Sequence, residues 1–388
     1  MIYSIKYEYT EMLPPHGGAE KLGISAIHIL YYKSMKNFAT SYRKEKKMRK
    51  LKKFVSTAII AAMVGTLCLT GCGSNSSSEG STGSKSGKQV TVAVVQPMSH
   101  TSLDQIRDTI TSELGKDDNI KVVTDNANGD TAALSSIIEN YKSEGVDIVV
   151  PIATSTAQTA KSVYDGEDTP IVFAAVSDPE AAGLTGEDCA NITGVSNNIP
   201  ADEIVKLISN FQPDYKKIGF LYTSSETNSV STITAAKKYC DDNNIAYEES
   251  SISNVSELQT AVESLISKGV DALYTGNDNT IASAMATYTD AAYAKKVPIY
   301  CGADSMVADG GFATVGVNYV QLGKQVADMV EKIANGEKVS DIPYETISDY
   351  AKYVNMQAVK QFGGNFDEKA YEGFEVLVEE DGTSHFNK

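Results

Sequence analysis

The chain contains few of the side chains that enzymes and metal sites use most often. Of its four histidines, His16 and His28 lie in an unusual N-terminal stretch, while His100 and His385 are far apart. Neither an HExxH motif nor a GxSxG nucleophile elbow occurs. This composition argues against a zinc site and against a serine–histidine–acid triad. We therefore expect a protein without enzymatic activity, without a bound metal and without a cofactor.

Cysteine is also scarce, and no two cysteines are spaced as a CxxC pair. The odd number of cysteines precludes a complete disulfide framework. The five are Cys68, Cys72, Cys189, Cys240 and Cys301. Because the last three lie far apart in the chain, we expect them to be buried free thiols.

Basic residues are outnumbered, with 34 Lys and Arg against 50 Asp and Glu and a formal net charge of −16. The first 71 residues hold 12 basic and 4 acidic residues, so the remainder carries a net charge of −24. A chain this acidic is unsuited to binding nucleic acid or adsorbing flat on an anionic membrane. We therefore expect no nucleic-acid partner.

The segment from Met48 to Cys72 has the pattern of a secretory signal. A basic start, Met48–Lys53, precedes an apolar run, Phe54–Leu69, which is shorter than the roughly 20 residues that span a bilayer comfortably. The run ends in Leu-Thr-Gly-Cys, which resembles a bacterial lipobox. Residues 48–71 are thus predicted to be a lipoprotein signal peptide, with Cys72 lipid-modified and residues 72–88 a Gly/Ser-rich tether. The protein should then be exported and anchored to the outer face of the cell membrane.

Residues 1–47 do not fit a signal peptide, because they precede one. Arg43–Lys47 can be encoded by codons that contain a ribosome-binding sequence just ahead of Met48. Our hypothesis is that Met48 is the true start and that residues 1–47 are translated upstream DNA. Recovery of a peptide from residues 1–47 in the native organism would contradict it.

From Val90 onward, short apolar runs alternate with helical patterns, which predicts βαβ units and a parallel sheet. One helix is predicted over Ser102–Leu114, and a second, capped by Asp130, runs to Tyr141. The predicted strands of this part are Val90–Val95, Lys121–Val123, Asp147–Ile152 and Thr169–Ala174. The pattern begins again at Lys217–Tyr222.

The second series repeats the first at a nearly constant offset. Asp271 lies 124 residues after Asp147, and Pro298 lies 128 residues after Pro170. The sequence therefore predicts two similar doubly wound α/β lobes with parallel sheets, joined by hinge crossovers and separated by a ligand cleft. We assign residues 89–197 plus 318–345 to the N-terminal lobe and residues 198–317 plus 346–388 to the C-terminal lobe.

Four motifs, together with the lipobox and the tether, carry a family resemblance. They are PIVFAAVSDP at Pro170–Pro179, NITGVS at Asn191–Ser196, NSVS at Asn228–Ser231 and TGNDNT at Thr275–Thr280. The chain resembles the substrate-binding lipoproteins of ABC importers with the type I periplasmic-binding fold, and within them the subfamily of tryptophan- and tyrosine-binding proteins. The resemblance covers about residues 88–360. It implies a non-catalytic receptor that delivers a ligand to a permease with its ATPase; we expect a monomer.

A free amino acid presents a carboxylate, an ammonium group and a side chain, and each needs its own partner. The hydroxyls and helix-terminal N–H groups of Thr154, Ser155 and Thr156 are predicted to bind the carboxylate; simple helix capping is the alternative. For the ammonium group we choose Asp304 first and Asp278 second. The alternative for Asp278 is an Asx turn or a helix cap.

Further polar residues follow predicted strands and are candidates for ligand contact. They are Gln96, His100, Asp178, Asn228, Ser229 and Asn279. Capping is an equal alternative for Asn228 and Ser229, and turn formation for Asp178, which precedes a proline. The apolar walls that an aromatic side chain needs cannot be assigned among 21 Tyr and 10 Phe.

The function that fits these features is capture of a small ligand, with an aromatic amino acid (Trp, Tyr or Phe) as our expectation. A membrane-tethered sensor that reports its ligand to a kinase is the alternative from another class. Permease and ATPase genes beside this one would favour import over sensing.

Overall fold

The computed structural model describes residues 89–348, 350–362 and 368–386. The predictions for the signal peptide, Cys72, the tether and residues 1–47 lie outside the described residues. Within the described part of the chain, no helix is both long enough and apolar enough to cross a bilayer.

The first lobe is built on a six-stranded sheet in the order β11-β5-β4-β3-β1-β2, and all of its pairs are parallel. Its strands are β1 (Val90–Gln96), β2 (Ile120–Asn126), β3 (Ile148–Pro151), β4 (Ile171–Ala174), β5 (Ile192–Ser196) and β11 (Glu345–Thr346). The central strands β3 and β4 are continuously buried. This is the burial expected of a parallel sheet covered on both faces.

The second lobe is built on a seven-stranded sheet in the order β13-β12-β10-β9-β8-β6-β7. Its strands are β6 (Lys217–Thr223), β7 (Ala246–Ile252), β8 (Ala272–Thr275), β9 (Ile299–Cys301), β10 (Ala313–Val317), β12 (Tyr350–Asn355) and β13 (Glu375–Val378). The β10–β12 pair is antiparallel, whereas the other pairs are parallel. The prediction of two lobes with parallel-dominated sheets is confirmed.

Helices cover the sheets. Those packed on the first sheet are α1 (Thr101–Leu114), α2 (Thr131–Glu144), α3 (Thr154–Val163) and α10 (Tyr319–Ala334); those of the second lobe are α4 (Ala201–Phe211), α5 (Thr227–Asp242), α6 (Leu258–Ser267), α7 (Asn279–Ala282), α8 (Met285–Tyr293), α9 (Asp304–Ala308) and α11 (Met356–Gln361). Short 3-10 turns cover Glu187–Cys189, Val255–Glu257, Val339–Asp341 and Glu368–Tyr371. The buried face of α1 consists mainly of the apolar residues at helical spacing in the sequence.

The same local hydrogen-bond arrangement occurs in both lobes, and it explains why Asp147 recurs as Asp271 in the sequence. Asp147, just before β3, accepts a hydrogen bond from the N–H of Thr91 at 2.9 Å and donates its own N–H to the Thr91 carbonyl. Asp271, just before β8, makes the equivalent pair of bonds with Lys217 at 3.0 and 2.8 Å. In each lobe an aspartate therefore fastens the third strand to the start of the first strand.

The chain passes between the sheets after β5, after β10 and after β11, because β6 and β12 belong to the second sheet whereas β11 belongs to the first. Helix α10 packs on α1, β4 and β5, so it returns to the first lobe after β10. The sheet to which a strand belongs assigns that strand to a lobe, but it does not assign the residues that connect the strands. The lobe boundaries given above therefore stay predictions.

Candidate ligand-binding site between the lobes

The carboxyl ends of strands from both sheets converge on one small interlobe cavity. Its apolar lining consists of Leu103, Ala175, Ala282, Ala303, Met306 and Tyr319. Its polar lining includes Ser102, Ser177, Asn197, Asn228, Asn277 and Asn279. The only charged side chain in the lining is that of Asp278. The cavity thus offers amides, hydroxyls and a carboxylate beside an apolar wall.

The lobes are closed on this cavity, whose volume is about 30 Å³. That volume holds one or two water molecules, whereas sites for drug-sized ligands measure roughly 300–1,000 Å³. Polar contacts join the lobes around it, including Thr101 Oγ1 to Asp309 Oδ2 at 3.2 Å. An amino acid can therefore enter only after the lobes separate.

Asp278 is buried and already fully hydrogen-bonded by its own lobe. Its carboxylate accepts bonds from the Thr223 N–H at 2.6 Å, the Thr223 hydroxyl at 2.9 Å, the Ser229 hydroxyl at 2.5 Å and the Ile281 N–H at 2.9 Å. Four donors match the roughly four acceptor positions of a carboxylate. The geometry thus favours the helix cap, here of α7, over ammonium binding. Burial, together with the charge of Glu226, raises the pKa of Asp278 to about 7.

Asp304 is equally buried but far less satisfied. It lies at the start of α9, next to the cavity residue Ala303, and is 6 % exposed. Its Oδ1 accepts the N–H of Ser305 at 2.7 Å, and no side chain among the described residues donates to its carboxylate. Burial raises the pKa of Asp304 to about 7 despite this bond. Asp304 therefore has acceptor capacity for a cation, which Asp278 lacks.

The first-lobe edge of the site is strained. Ala153 at the end of β3 has φ +70° and Ala175 at the end of β4 has φ +57°, a region that residues with a Cβ rarely adopt. The two turns are neighbours, because the N–H of Ala153 donates to the Ala174 carbonyl at 2.9 Å. Such strain persists only where the surroundings enforce it, and it is concentrated at functional sites.

Helix α3 starts directly after Ala153, and no side chain caps it. The capping alternative for Thr154–Thr156 is therefore wrong. The hydroxyls of Thr154 and Thr156 are buried and have no hydrogen-bond partner among the described residues. Ser155 is exposed and lies in a groove of about 620 Å³ at the rim of both lobes. The first-turn N–H groups of α3 thus have no side-chain acceptor in the part of the chain that the structure describes.

Gln96 is predicted to face the cleft, but its side chain is hydrogen-bonded to other residues of the first lobe. It donates to Asp104 at 2.8 Å and to the Met98 carbonyl at 2.9 Å, and it accepts from Arg107 at 3.1 Å. It does not line the cavity. Its three contacts give it a structural role in fixing the start of α1.

The other predicted contacts have partners of several kinds. Asn228 lines the cavity and donates to the Asn277 carbonyl. Ser229 is buried, and its hydroxyl donates a hydrogen bond to the carboxylate of Asp278. Asp178 lies in a separate groove, where it accepts the Ser231 hydroxyl of the other lobe and the Ala181 N–H. The last bond favours the turn-forming alternative.

His100 and Asn279 contact each other across the cleft. The distance from His100 Nε2 to Asn279 Oδ1 is 3.0 Å. His100 precedes α1 of the first lobe and Asn279 begins α7 of the second. Both are predicted to touch the ligand; the structure joins them in an interlobe hydrogen bond, and Asn279 also lines the cavity.

Several residues of the site were not among the predicted ligand contacts, including Asn197 and Tyr319. The Tyr319 hydroxyl lies 3.5 Å from Asn197 Nδ2 and 3.5 Å from Asn277 Oδ1. Asn197 follows β5 and Tyr319 follows β10, the two strands after which the chain first crosses between lobes. Their positions directly after crossover strands were the available signal.

Three cysteines of the described residues, Cys189, Cys240 and Cys301, are free and buried, as predicted. The thiol of Cys301 has its pKa raised by burial. These residues therefore contribute to packing rather than to the interlobe site.

The family model described as "ABC transporter substrate binding protein" matches residues 91–372. The chain is 33 % identical over 324 residues to the tyrosine-binding protein of Clostridioides difficile (strain R20291), covering 81 % of this chain and 93 % of that protein. Both the identity and the coverage are high enough to indicate a shared family.

Two solved structures are similar over about three quarters of the chain. One is an ABC domain from Streptococcus pneumonia in complex with L-Trp, with 31 % identity, a TM-score of 0.70, and coverage of 75 % of this chain and 100 % of that chain. The other is a ligand-free, open substrate-binding protein with adhesive properties from Clostridium difficile, with 32 % identity, a TM-score of 0.58, and coverage of 75 % and 99 %.

Proposed function

This chain belongs to the ABC transporter substrate-binding protein family, and we propose that its own ligand is an aromatic amino acid. The family consists of extracytoplasmic solute-binding proteins of ABC transporters. We infer that this member is a receptor without catalytic activity, which captures its ligand by hinge closure and presents it to a permease with its ATPase. The tyrosine-binding relative and the tryptophan complex support the choice of ligand.

One observation carries the proposal: a buried carboxylate with spare acceptor capacity, that of Asp304, lies next to the interlobe cavity with its apolar wall. Asp304 is shielded from water, and its pKa is raised to about 7 because burial disfavours the charged form. A cation beside it would restore that charged form. No Lys or Arg lines the cavity, so the ammonium group of an amino acid is the cation that suits this position.

The carboxylate of the ligand needs donors, and the start of α3 has them. Its first-turn N–H groups lack a side-chain cap, and helix N-termini attract anions. The buried, unpartnered hydroxyl of Thr154 lies in the same turn. Ala153 and Ala175 form the neighbouring strained turns, and Ala175 lines the cavity. We infer that the carboxylate binds at this edge of the first lobe.

The side chain of the ligand would pack on the apolar wall. Leu103 belongs to the first lobe, Ala303 and Met306 belong to the second, and Tyr319, the first residue of α10, adds an aromatic ring to the lining. Aromatic rings pack well on aliphatic and thioether groups. Because the wall includes residues of both lobes, closure would remove the ring from water and would hold the lobes together.

The first prediction is that the protein binds at least one of L-tryptophan, L-tyrosine and L-phenylalanine. The chain contains no tryptophan, so indole fluorescence, excited at a wavelength where its 21 tyrosines do not absorb, reports L-tryptophan without an indole background from the protein. Tryptamine, which lacks the carboxylate, and indole-3-propionate, which lacks the ammonium group, should each bind about tenfold to a hundredfold more weakly.

Calorimetry with the same compounds gives the affinities of the ligands that lack an indole. If none of the three amino acids binds, the proposed ligand class is wrong. If tryptamine binds as tightly as L-tryptophan, the carboxylate site at α3 is wrong while the ligand class stands.

A second prediction concerns Thr154. We expect Thr154→Val to weaken L-tryptophan binding about threefold to tenfold, because a hydroxyl donor to the carboxylate is removed. The melting temperature should stay unchanged or rise, since valine has nearly the same shape and the native hydroxyl bonds to no described residue. Thr156→Val, whose hydroxyl is also buried and unpartnered, is the matched control for stability. A large fall in melting temperature with unchanged binding would contradict the carboxylate role.

We also propose that the protein is a monomer, exported and held at the membrane by a lipid on Cys72. The signal pattern and the membership in an extracytoplasmic family support this. Labelling of cells with a radioactive fatty acid tests the anchor. Equal incorporation into the wild type and Cys72→Ser would contradict it.

A further inference from the structure

The interlobe bond between His100 and Asn279 is held in one polarity by a third residue, Glu226. One carboxylate oxygen of Glu226 accepts the Asn279 backbone N–H at 3.0 Å and the Asn279 side-chain Nδ2 at 2.8 Å. The other oxygen accepts the Thr280 N–H at 2.8 Å and the Thr280 hydroxyl at 2.7 Å. Glu226 therefore holds the first turn of α7 in place, and its carboxylate accepts a hydrogen bond from the side-chain amide nitrogen of Asn279.

The orientation of Asn279 determines what His100 must do. Since Nδ2 of Asn279 donates to Glu226, the atom facing His100 is the acceptor Oδ1. The hydrogen-bond network therefore assigns the proton to Nε2 of His100. If the side-chain amide of Asn279 were flipped, its NH₂ group would face the N–H of His100. Two donors cannot bond each other, so the bond across the lobes would be lost.

The neutral imidazole is the form that fits the closed lobes. The second ring nitrogen of His100, Nδ1, is buried and has no hydrogen-bond partner among the described residues. In the imidazolium this atom would carry a buried N–H without an acceptor, which is costly. Burial lowers the pKa of His100 below its ordinary value, and it outweighs both the hydrogen bond to Asn279 and the nearby carboxylates of Glu226, Asp104 and Asp309, which favour protonation.

We propose that Glu226 is a positioning residue which holds Asn279 as the acceptor for His100, and that this three-residue interlobe latch slows the release of ligand until acid protonates His100. The inference rests on the proposed function, because it concerns how the same cleft retains its ligand. None of the three residues needs to touch the ligand. They act through the equilibrium between closed and open lobes.

The direction of the pH effect follows from proton linkage. When the lobes open, water reaches His100, and its pKa returns toward the ordinary value of about 6.5. The open form then binds a proton more tightly than the closed form. The latch therefore contributes fully above about pH 6.5, and its contribution is lost as the pH falls from there through the lower pKa of the closed form.

The test is the dissociation rate of L-tryptophan, followed by stopped-flow indole fluorescence on the full chain between neutral and mildly acidic pH. At neutral pH we expect Glu226→Gln and His100→Leu each to release the ligand about threefold to tenfold faster than the wild type, the effect of one lost hydrogen bond. His100→Gln keeps a neutral donor, so it should release slowly at neutral pH and lack the acid acceleration that belongs to His100. Thr111→Val removes a hydroxyl bond that stays within α1, to the Arg107 carbonyl, and serves as the matched control, with less than a twofold change in the release rate.

Acid sensitivity that remains in His100→Gln belongs to the buried aspartates of the site, Asp304 and Asp278, whose pKa values are raised to about 7. The effect of the latch is therefore measured as the difference between wild type and His100→Gln in how the dissociation rate depends on pH. Equal pH profiles for these two proteins, or unchanged release by Glu226→Gln in a protein of normal melting temperature, would overturn the latch. A wild type that binds none of the aromatic amino acids would instead overturn the proposed function. His100→Leu, which keeps Glu226, tests the bond if Glu226→Gln does not fold.

Discussion

Replacing Asp304 by asparagine is expected to weaken the binding of aromatic amino acids about 100-fold or more, because the ammonium group then enters a buried site without a counter-charge. The melting temperature should not fall. The native carboxylate is buried with one described hydrogen bond from Ser305, and a neutral amide in its place avoids the cost of desolvating a charge. Calorimetric titration and thermal unfolding of the same samples measure both effects.

The pH dependence of binding should change in the same variant. Burial raises the pKa of Asp304 to about 7, so below that pH a proton competes with the ammonium group, and the wild-type affinity should fall by up to tenfold per pH unit. Asp304→Asn removes this dependence. Because the folded-state pKa is raised, the protonated carboxyl also stabilises the wild-type fold below its ordinary pKa of about 4, an advantage lost as the pH rises through 7.

An exposed aspartate of the same lobe, Asp290 on α8, provides the control. Asp290→Asn should change neither affinity nor melting temperature measurably. Wild-type affinity in Asp304→Asn would show that another group holds the ammonium. Lost binding together with a large fall in melting temperature would mean that Asp304 is structural.

Asp278→Ala should have the largest effect on stability, lowering the free energy of unfolding by about 3 kcal/mol. The substitution leaves four buried donors without an acceptor, including the Thr223 N–H and the Ser229 hydroxyl. Each orphaned donor costs about 1–3 kcal/mol, but loss of a desolvated carboxylate offsets part of the sum. Equilibrium denaturation by urea measures the change.

Asp130→Ala is the matched control, because Asp130 is also an N-cap but is exposed and bonds only Ala132 and Ala133 of its own helix. It should cost about 1 kcal/mol. If Asp278→Ala costs no more than this, the long-range bonds to β6 and α5 contribute little. If it abolishes binding in a protein of normal stability, Asp278 and not Asp304 holds the ammonium group.

Much of the fold was predictable because it depends on local patterns. Apolar runs such as the one ending at Pro151 are buried on both faces of a parallel sheet, and helical spacing marks the buried face of α1. The repeat of Asp147 at Asp271 predicted the second lobe. The antiparallel β10–β12 pair was not predicted, since strand direction depends on the path of the chain after β11 and not on composition.

The site was only partly predictable, since the position of a polar residue after a strand does not reveal its partner. His100 and Asn279 both follow strands and point toward the cleft, yet they bond each other. Gln96 ends β1, but its side-chain amide is hydrogen-bonded to Asp104 and Arg107, which lie about one and two helical turns into α1. The role of Glu226 could not be predicted because it lies before a helix without capping it, and the two residues it holds, Asn279 and Thr280, are more than 50 residues away.

The amino-acid sequence by itself determined a duplicated α/β architecture and the family, since both depend on periodicities and contiguous motifs. The tertiary structure alone decided which buried aspartate is free to bind a cation. Asp278 and Asp304 both follow strands of the second lobe. Donors from Thr223 and Ser229, about 50 residues away in the chain, fill the acceptor positions of Asp278 and none of those of Asp304. Hydrogen-bond satisfaction depends on residues brought together by folding, and for that reason no local pattern could distinguish the two.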